Sequence, residues 1–460
     1  MHSSVKQLTH WVAGLTLASL ACAAQAVCSD DLANLPVDRS GRASKPTPAI
    51  DQEVAGMDPM TQLQTIAREA AKRSAQVGAA RLLAEAADYD VAETRGAALP
   101  QVSVGATLGP SYSRYAGQTL KSGGQFTGTV NVSGLVYDGG RLNYLTQYRR
   151  EMAGAARFGM QATKEEVVLE AVNTALERNR YRSQAKVYQQ YARKMGCLVE
   201  ALDQIVAEDR GRASELVQAR KTQAQAELAR DNALALSRQI EIRLRKLIGD
   251  QIALGDGVAG ALTQGMDVGE VIRLLEQSSD LQQSKSQAEA SQRYAEAVEA
   301  GEKPQVSWVA TSAGAVQGDT KSLSVQAGLS VTYNLFTGGS DKAASAAAAR
   351  RAGAARRQYE DLLNSRTSKT MEMQEVASSA LDRAKRYVEV LKDSERVRTY
   401  TFQQWSQLGR RSLFDVMSAE GDHYNLRVAY VNSLHDAYEA NAQLRSLGGG
   451  LVKWLGAEDQ

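Results

Sequence analysis

Histidine, serine and cysteine are the first places to look for chemistry in this chain, and their spacing supports none. His423 and His435 stand twelve residues apart on one helical stretch. No cysteine or carboxylate cluster of metal-ligand spacing lies beside them, so surface or interhelix roles are expected and no metal site. Serines are abundant, but none sits in a G-x-S-x-G elbow, so an acyl-transfer triad has no support. Gly448-Gly449-Gly450 lacks the Lys-Ser or Lys-Thr of a phosphate loop and reads as a helix stop. Tyr424, Ala429, Tyr430 and Tyr438 form a stripe suited to helix packing. No enzyme and no cofactor is expected. One charged pair remains, Arg411 and Asp415, which from spacing alone is an i, i+4 surface pair worth a few tenths of a kcal/mol.

Composition and targeting narrow the class. The formal charge of +2 is spread over mixed-sign segments, so no basic face offers itself to nucleic acid. His2, Lys6 and His10 lead into an apolar stretch from Trp11 to Ala24, and Ala24-Gln25-Ala26 is an A-x-A cleavage site. Residues 1–26 are therefore expected to be a signal peptide, cut between Ala26 and Val27. Leu20 sits one position too close to Cys22 for a good lipobox, which disfavours lipidation. After cleavage Cys28 and Cys197 remain, and they read as two incidental thiols rather than a disulfide framework. No later segment has 18 or more uninterrupted apolar residues, so a membrane-spanning form of this chain needs strands.

The elements that would position these residues follow from periodicity. Residues 27–58 carry no period and read as an extended tail. From Met60 to Ala98 apolar residues recur at helical steps until Leu99-Pro100. Val102, Val104, Ala106 and Leu108 then alternate with small and polar residues. After a loop containing Ser111-Tyr112-Ser113, Tyr115 and Gly117, alternation returns at Phe126, Val130, Val132 and Val136. Such alternation fits a half-buried strand of a soluble sheet as well as a barrel strand in a membrane. Past Tyr137-Asp138-Gly139-Gly140, a helix from about Leu142 to Ala207 would run on the order of 100 Å. A return helix from about Arg212 to Leu247 closes a first repeat, 59–250.

After a linker, 251–268, the pattern recurs over 269–455, with a tail at 456–460. A helix from Val271 to Ala300 meets Pro304-Gln305-Val306-Ser307, echoing Pro100-Gln101-Val102-Ser103. Strands within 304–336 mirror those within 101–137. Asn334-Leu335-Phe336-Thr337-Gly338-Gly339 restates Leu135-Val136-Tyr137-Asp138-Gly139-Gly140, and helices from Ala343 to about Trp405 and from Leu413 to Leu447 complete the copy. Gly139, Gly140, Gly338 and Gly339 are expected at sharp strand-to-helix corners, where a missing Cβ relieves crowding. Four strands cannot close a barrel alone, so closure in lipid needs several copies.

The doubled layout, the LPQVSV and KPQVSW strand openings, the LVYDGG and NLFTGG corners, and Gly409-Arg410-Arg411-Ser412-Leu413-Phe414-Asp415-Val416 resemble the TolC family of outer-membrane export proteins, from Met60 to Leu455. The resemblance implies an α+β membrane protein: a homotrimer sharing one twelve-stranded β-barrel in outer-membrane lipid, continued by a helical tube in the periplasm. It further implies an exit duct served by a periplasmic adaptor protein and an inner-membrane pump of ABC or RND type. Arg411 and Asp415 match the family's constriction motif, and Glu215 holds the equivalent place in the first half. Threefold repetition would make each carboxylate a ring of the kind cation-selective pores use. The motif's preceding tyrosine falls on Ser406 and its second aspartate on Ser418, which implies a differently wired lock.

Two questions stay open at this level. Soluble strands would make the chain a periplasmic coiled-coil scaffold without a pore. Within the duct class, the poor lipobox leans toward type I protein secretion, with multidrug or small-molecule efflux as the alternative.

Overall fold

The computed structural model of the chain describes residues 58–113 and 121–457. Ala26, Val27, Cys22 and Cys28, and with them the expected signal peptide and most of the extended tail, lie outside the described residues, as do Tyr115 and Gly117.

The first repeat begins with two helices where the apolar period suggested one. Helix α1 (Pro59–Arg73) ends before Ser74, whose side chain accepts the Val77 N–H at 3.3 Å and so starts α2 (Ala75–Gly96). A serine oxygen satisfies a donor that the new helix leaves unpaired, so the chain breaks without losing its apolar rhythm. The second repeat breaks at the equivalent place: the expected helix from Val271 to Ala300 is α5 (Val268–Leu275) and α6 (Ser279–Ala300), with Ser278 at the N-cap position, its hydroxyl donating to Asp280 at 2.7 Å rather than accepting a helix N–H. Between them come the long helix α3 (Arg141–Glu208) and its return α4 (Ala213–Ile248). Their counterparts are α7 (Ser340–Ser406) and α8 (Leu413–Gly448), before a last short turn of helix, α9 (Leu451–Trp454). The duplication holds almost to the residue: α2 and α6 have 22 residues each, α3 and α7 have 68 and 67, and α4 and α8 have 36 each.

Four antiparallel strands form one sheet in the order β1 (Gln101–Ser113), β2 (Lys121–Tyr137), β3 (Gln305–Gln317) and β4 (Thr320–Thr332). Ser111-Tyr112-Ser113, expected in a loop, continues β1 because it pairs with residues 121–123 of β2. The register decides what each face presents. Val104, Val130, Ser312 and Val325 share one row across the sheet, and Ser103, Asn131, Thr311 and Gln326 share the next. Apolar positions of all four strands thus fall mainly on one face, and Ser, Thr, Asn and Gln fall mainly on the other. On the apolar face the Trp308 ring lies over Gly134, where a Cβ would stand 2.4 Å from Nε1. Strand β4 stops at Thr332, earlier than its counterpart β2. Its partner β3 begins at Gln305, just past Pro304, so Tyr333 and the residues after it have no ladder to join.

By packing, the described chain forms two compact units. One comprises Ser74–Glu166 and Ile272–Ser368: the sheet, α2, α6 and the first parts of α3 and α7. Its helices follow the order of its strands. Arg149 pairs with Asp90 at 3.5 Å between α3 and α2, Tyr148 meets Tyr294 at 5.4 Å between α3 and α6, and Arg366 pairs with Asp280 at 2.7 Å between α7 and α6. The other unit holds the return helices, α1, the first half of α5 and the remainder of α3 and α7. There Arg178, itself buried, pairs with Glu241 at 2.9 Å and donates to the Gly255 carbonyl, pinning the linker to α3 and α4. Asn441 and Arg445 of α8 donate to the carbonyls of Leu262 and Gln264 in the same connection.

The strand-to-helix corners turn on the four glycines. Their φ angles are +68° and +90° at Gly139 and Gly140, and +66° and +88° at Gly338 and Gly339, a region that costs other residues about 1–2 kcal/mol. Asp138 caps the first corner by accepting the N–H groups of Gly140 and Leu142 at 3.0 and 2.6 Å. At the second corner the Thr337 hydroxyl donates to Asp341 at 2.8 Å.

Candidate gate at the helical turns

The turns joining α3 to α4 and α7 to α8 share a core within one unit. Met195, Leu198 and Leu202 of α3, Leu216 and Ala219 of α4, and Leu413, Val416 and Met417 of α8 are buried together, with Phe402 and Trp405 of α7 packed against them. This apolar plug fixes both turns, so the polar groups on them project from a rigid base.

At the second turn Gly409, with φ of +63°, carries the chain out of α7. Ser412 then opens α8 with a reciprocal capping box. The Asp415 N–H donates to Ser412 Oγ at 3.2 Å, and Asp415 Oδ2 accepts from both the N–H and the hydroxyl of Ser412 at 3.0 Å. These bonds, the backbone one foremost, hold the Asp415 carboxyl below the usual carboxylate range. Arg411 lies before the helix starts and donates its Nε–H to Gln404 Oε1 of α7 at 3.3 Å. The two charges therefore do not form the i, i+4 helical pair that spacing alone suggests. Asp415 is engaged by the helix N-terminus, and Arg411 ties the turn to the last part of α7.

At the first turn Asp209 caps a short 3₁₀ turn, Arg210–Arg212, by accepting the Gly211 N–H at 2.9 Å. Glu215 is in the first turn of α4, as Asp415 is in that of α8, and Arg212 approaches it at 4.0 Å. Its Oε2 is buried without a hydrogen-bond partner. Leu408 and Phe414, flanking the second turn, are 59% and 51% exposed.

Residue spacing did not reveal the charged cluster a few turns along the same hairpin. Arg398 of α7 donates to Glu420 of α8 at 3.2 Å and to Glu395 at 2.7 Å. His423 Nε2 lies 3.6 Å from Glu395, and its Nδ1 is 3.2 Å from Ser394 Oγ. Tyr191 of α3 stacks on Tyr424 at 4.8 Å. Burial, and then the Glu420 and Asp422 charges, push its hydroxyl up to about 12. His423 and His435 are both buried between helices rather than at the surface. Burial drives the His435 imidazole down to about 4, so it is neutral at physiological pH. A legible signal existed: Arg398 and Glu420 stand eleven residues to either side of Gly409, and Glu395 and His423 fourteen. In an antiparallel hairpin, equal distances from the turn place residues opposite one another.

Residues 66–250, nearly the whole first repeat, match the family model described as outer membrane efflux protein. Solved structures share the fold across the second repeat as well. The chain superimposes on CusC, solved in a study of transmembrane channel formation, with a TM-score of 0.76, 16% identity, and 85% and 92% of the two chains covered. It matches the outer membrane protein VceC of Vibrio cholerae with a TM-score of 0.75 and 18% identity over 85% and 96% of the chains. The outer membrane channel CmeC of Campylobacter jejuni gives 0.72 and 13% identity over 92% of both. No curated protein matches by sequence. The strand pairs, long helices and return helices read from the sequence are thus the fold of the TolC-type channels.

Proposed function

We propose that this chain is the outer-membrane exit duct of a tripartite export system, passive in itself and fed by an inner-membrane pump through a periplasmic adaptor. The observation that carries the reading is the four-stranded sheet with one mainly apolar face and two unpaired edges, β1 and β4. Among the described residues no helix is long and apolar enough to cross a membrane. A sheet open on both sides is excluded from lipid, so copies must close it edge to edge. Three copies supply the twelve strands of the family's barrel, with the helices extending into the periplasm. The polar face then lines water and the apolar face meets outer-membrane lipid.

Efflux of small molecules is the cargo class of this reading, supported by the description of the matching family model as outer membrane efflux protein. Type I protein secretion is the second reading, favoured by the poor spacing of Leu20 and Cys22. Exposed Leu408 and Phe414 beside Arg410 and Arg411 offer the adaptor an apolar contact ringed by positive charge. Arg411, Asp415 and Glu215 are the gate residues of this reading, Arg411 holding the turn and the two carboxylates lining the mouth. The test is a planar-bilayer recording of the purified protein in parallel with an unheated gel. The duct reading expects a trimer that conducts; a stable monomer with full strand content overturns it.

A further inference from the structure

The cluster between α7 and α8 is out of charge balance. Two carboxylates, Glu395 and Glu420, share one guanidinium, and Glu420, 1% exposed, accepts a hydrogen bond from Arg398. Among the groups facing it from α3, Lys194 pulls the Glu420 carboxyl down through its charge without overcoming the effect of burial. From α3 come Tyr191, whose hydroxyl stays protonated, and Lys194, whose ammonium lies over the Phe402 ring at 5.7 Å. From α8 itself come Asp422, His423, Tyr424 and Arg427, and the last donates to Gln190 of α3 and covers the Tyr424 ring at 5.2 Å. A buried excess of negative charge is costly, because the low dielectric around it neither solvates nor screens it.

We propose that Glu395, Arg398, Glu420 and His423 form an acid-strengthened latch between α7 and α8, which takes up one proton as the pH falls and thereby holds the hairpin more tightly. A proton on His423 gives Glu395 a cationic partner of its own and leaves Arg398 to Glu420. A proton on Glu420 removes the buried charge directly. Either balances the cluster at two positive and two negative charges or at one of each. Burial, against the pull of Arg398 and Lys194, raises the Glu420 carboxyl above its ordinary range. A carboxyl with its folded-state pKa raised contributes stability that is fully present below its unfolded value and lost as pH rises through the folded one. The latch is therefore firm in mild acid and slack in alkali, and it lies a few helical turns from the α7–α8 turn that Arg411 ties down. This assignment concerns the hairpin itself and stands apart from the duct reading.

The test is amide hydrogen exchange of segments 390–400 and 413–427 in the full-length protein in detergent, comparing parent and Glu420→Gln at the same pH so that intrinsic exchange chemistry cancels. Glutamine mimics the protonated side chain. At pH 8 the variant should exchange more slowly than the parent, and the difference should shrink as the pH is lowered to 5.5. Faster exchange in the variant at pH 8, or a ratio that does not change with pH, overturns the latch. Glu395→Gln removes a charge from the same cluster at a more exposed position and should shift the ratio in the same direction; if Glu420→Gln does not assemble, this variant decides alone on the same criteria. A protein that passes the exchange test yet never conducts in a bilayer retains the latch and loses the duct.

Discussion

At the scale of single residues, the corner glycines and the capping box do different work. Gly139 and Gly338 have nearly the same φ, but a Cβ on Gly139 would lie 2.7 Å from the Lys303 side chain and 2.9 Å from the Ala300 carbonyl, whereas one on Gly338 meets nothing within 4 Å. Gly338→Ala should cost about 1–2 kcal/mol of backbone strain, and Gly139→Ala distinctly more. Thermal dissociation of the assembled protein on gels will show the order, and equal melting points would contradict it. Ser412→Ala removes an N-cap and should cost about 1 kcal/mol, with exchange at 413–416 increasing first. Asp415 has its pKa lowered by the same box, so its contribution is present above the ordinary aspartate range and fades as pH falls through the lowered value. Arg411→Ala deletes one bond to a neutral amide. It should shift the closed-to-open ratio by about 1 kcal/mol or less, roughly fivefold at most, measured as a rise in single-channel conductance. Asp415→Ala should lower cation selectivity, with Glu215 keeping part of it. The Ser412-x-x-Asp415 pattern was legible beforehand, whereas the bond from Arg411 to Gln404 was not, because it depends on how the glycine turn folds back.

Among the elements, the sequence was most readable where a period ran unbroken. Alternation at Val102–Leu108 and at Leu323–Val331 marked the strands, and the absence of breakers marked the long helices. It failed where a break left the period intact, at Ser74 and Ser278, since a serine N-cap interrupts hydrogen bonding without disturbing the apolar stripe. Strand ends were misjudged for a different reason: Ser111–Ser113 pairs because β2 reaches that far, and Tyr333 does not because β3 starts too late. The face assignment makes a sharp test possible on neighbouring residues of β4. Val325→Arg puts a charge in the middle row of the apolar face and should cost about 2–4 kcal/mol per chain, abolishing recovery from the outer membrane. Gln326→Arg, on the opposite face, should assemble normally and alter ion selectivity. Equal tolerance of both substitutions would show that the sheet does not meet lipid.

For the whole molecule, the doubled pattern of element lengths made the fold legible from one sequence, because helices of 68 and 67 residues with equal returns suit few architectures. Copy number was legible only as a requirement that the sheet be closed. Signal cleavage at Ala26 predicts a mature chain beginning at Val27, and an intact mass corresponding to a diacylated Cys22 would contradict it.

The unpaired strands have a consequence for biogenesis. In the duct reading, each newly exported chain displays two 13-residue edges, β1 and β4, before it meets its fellows, and their N–H and C=O groups are templates for any other extended segment. Productive encounter and aggregation draw on the same groups, and both accelerate with concentration. The unassembled chain should therefore depend on a periplasmic holdase or on rapid delivery to lipid. Refolding into detergent should accordingly have an optimum protein concentration: below it chains wait as monomers, and above it edges pair wrongly and yield falls.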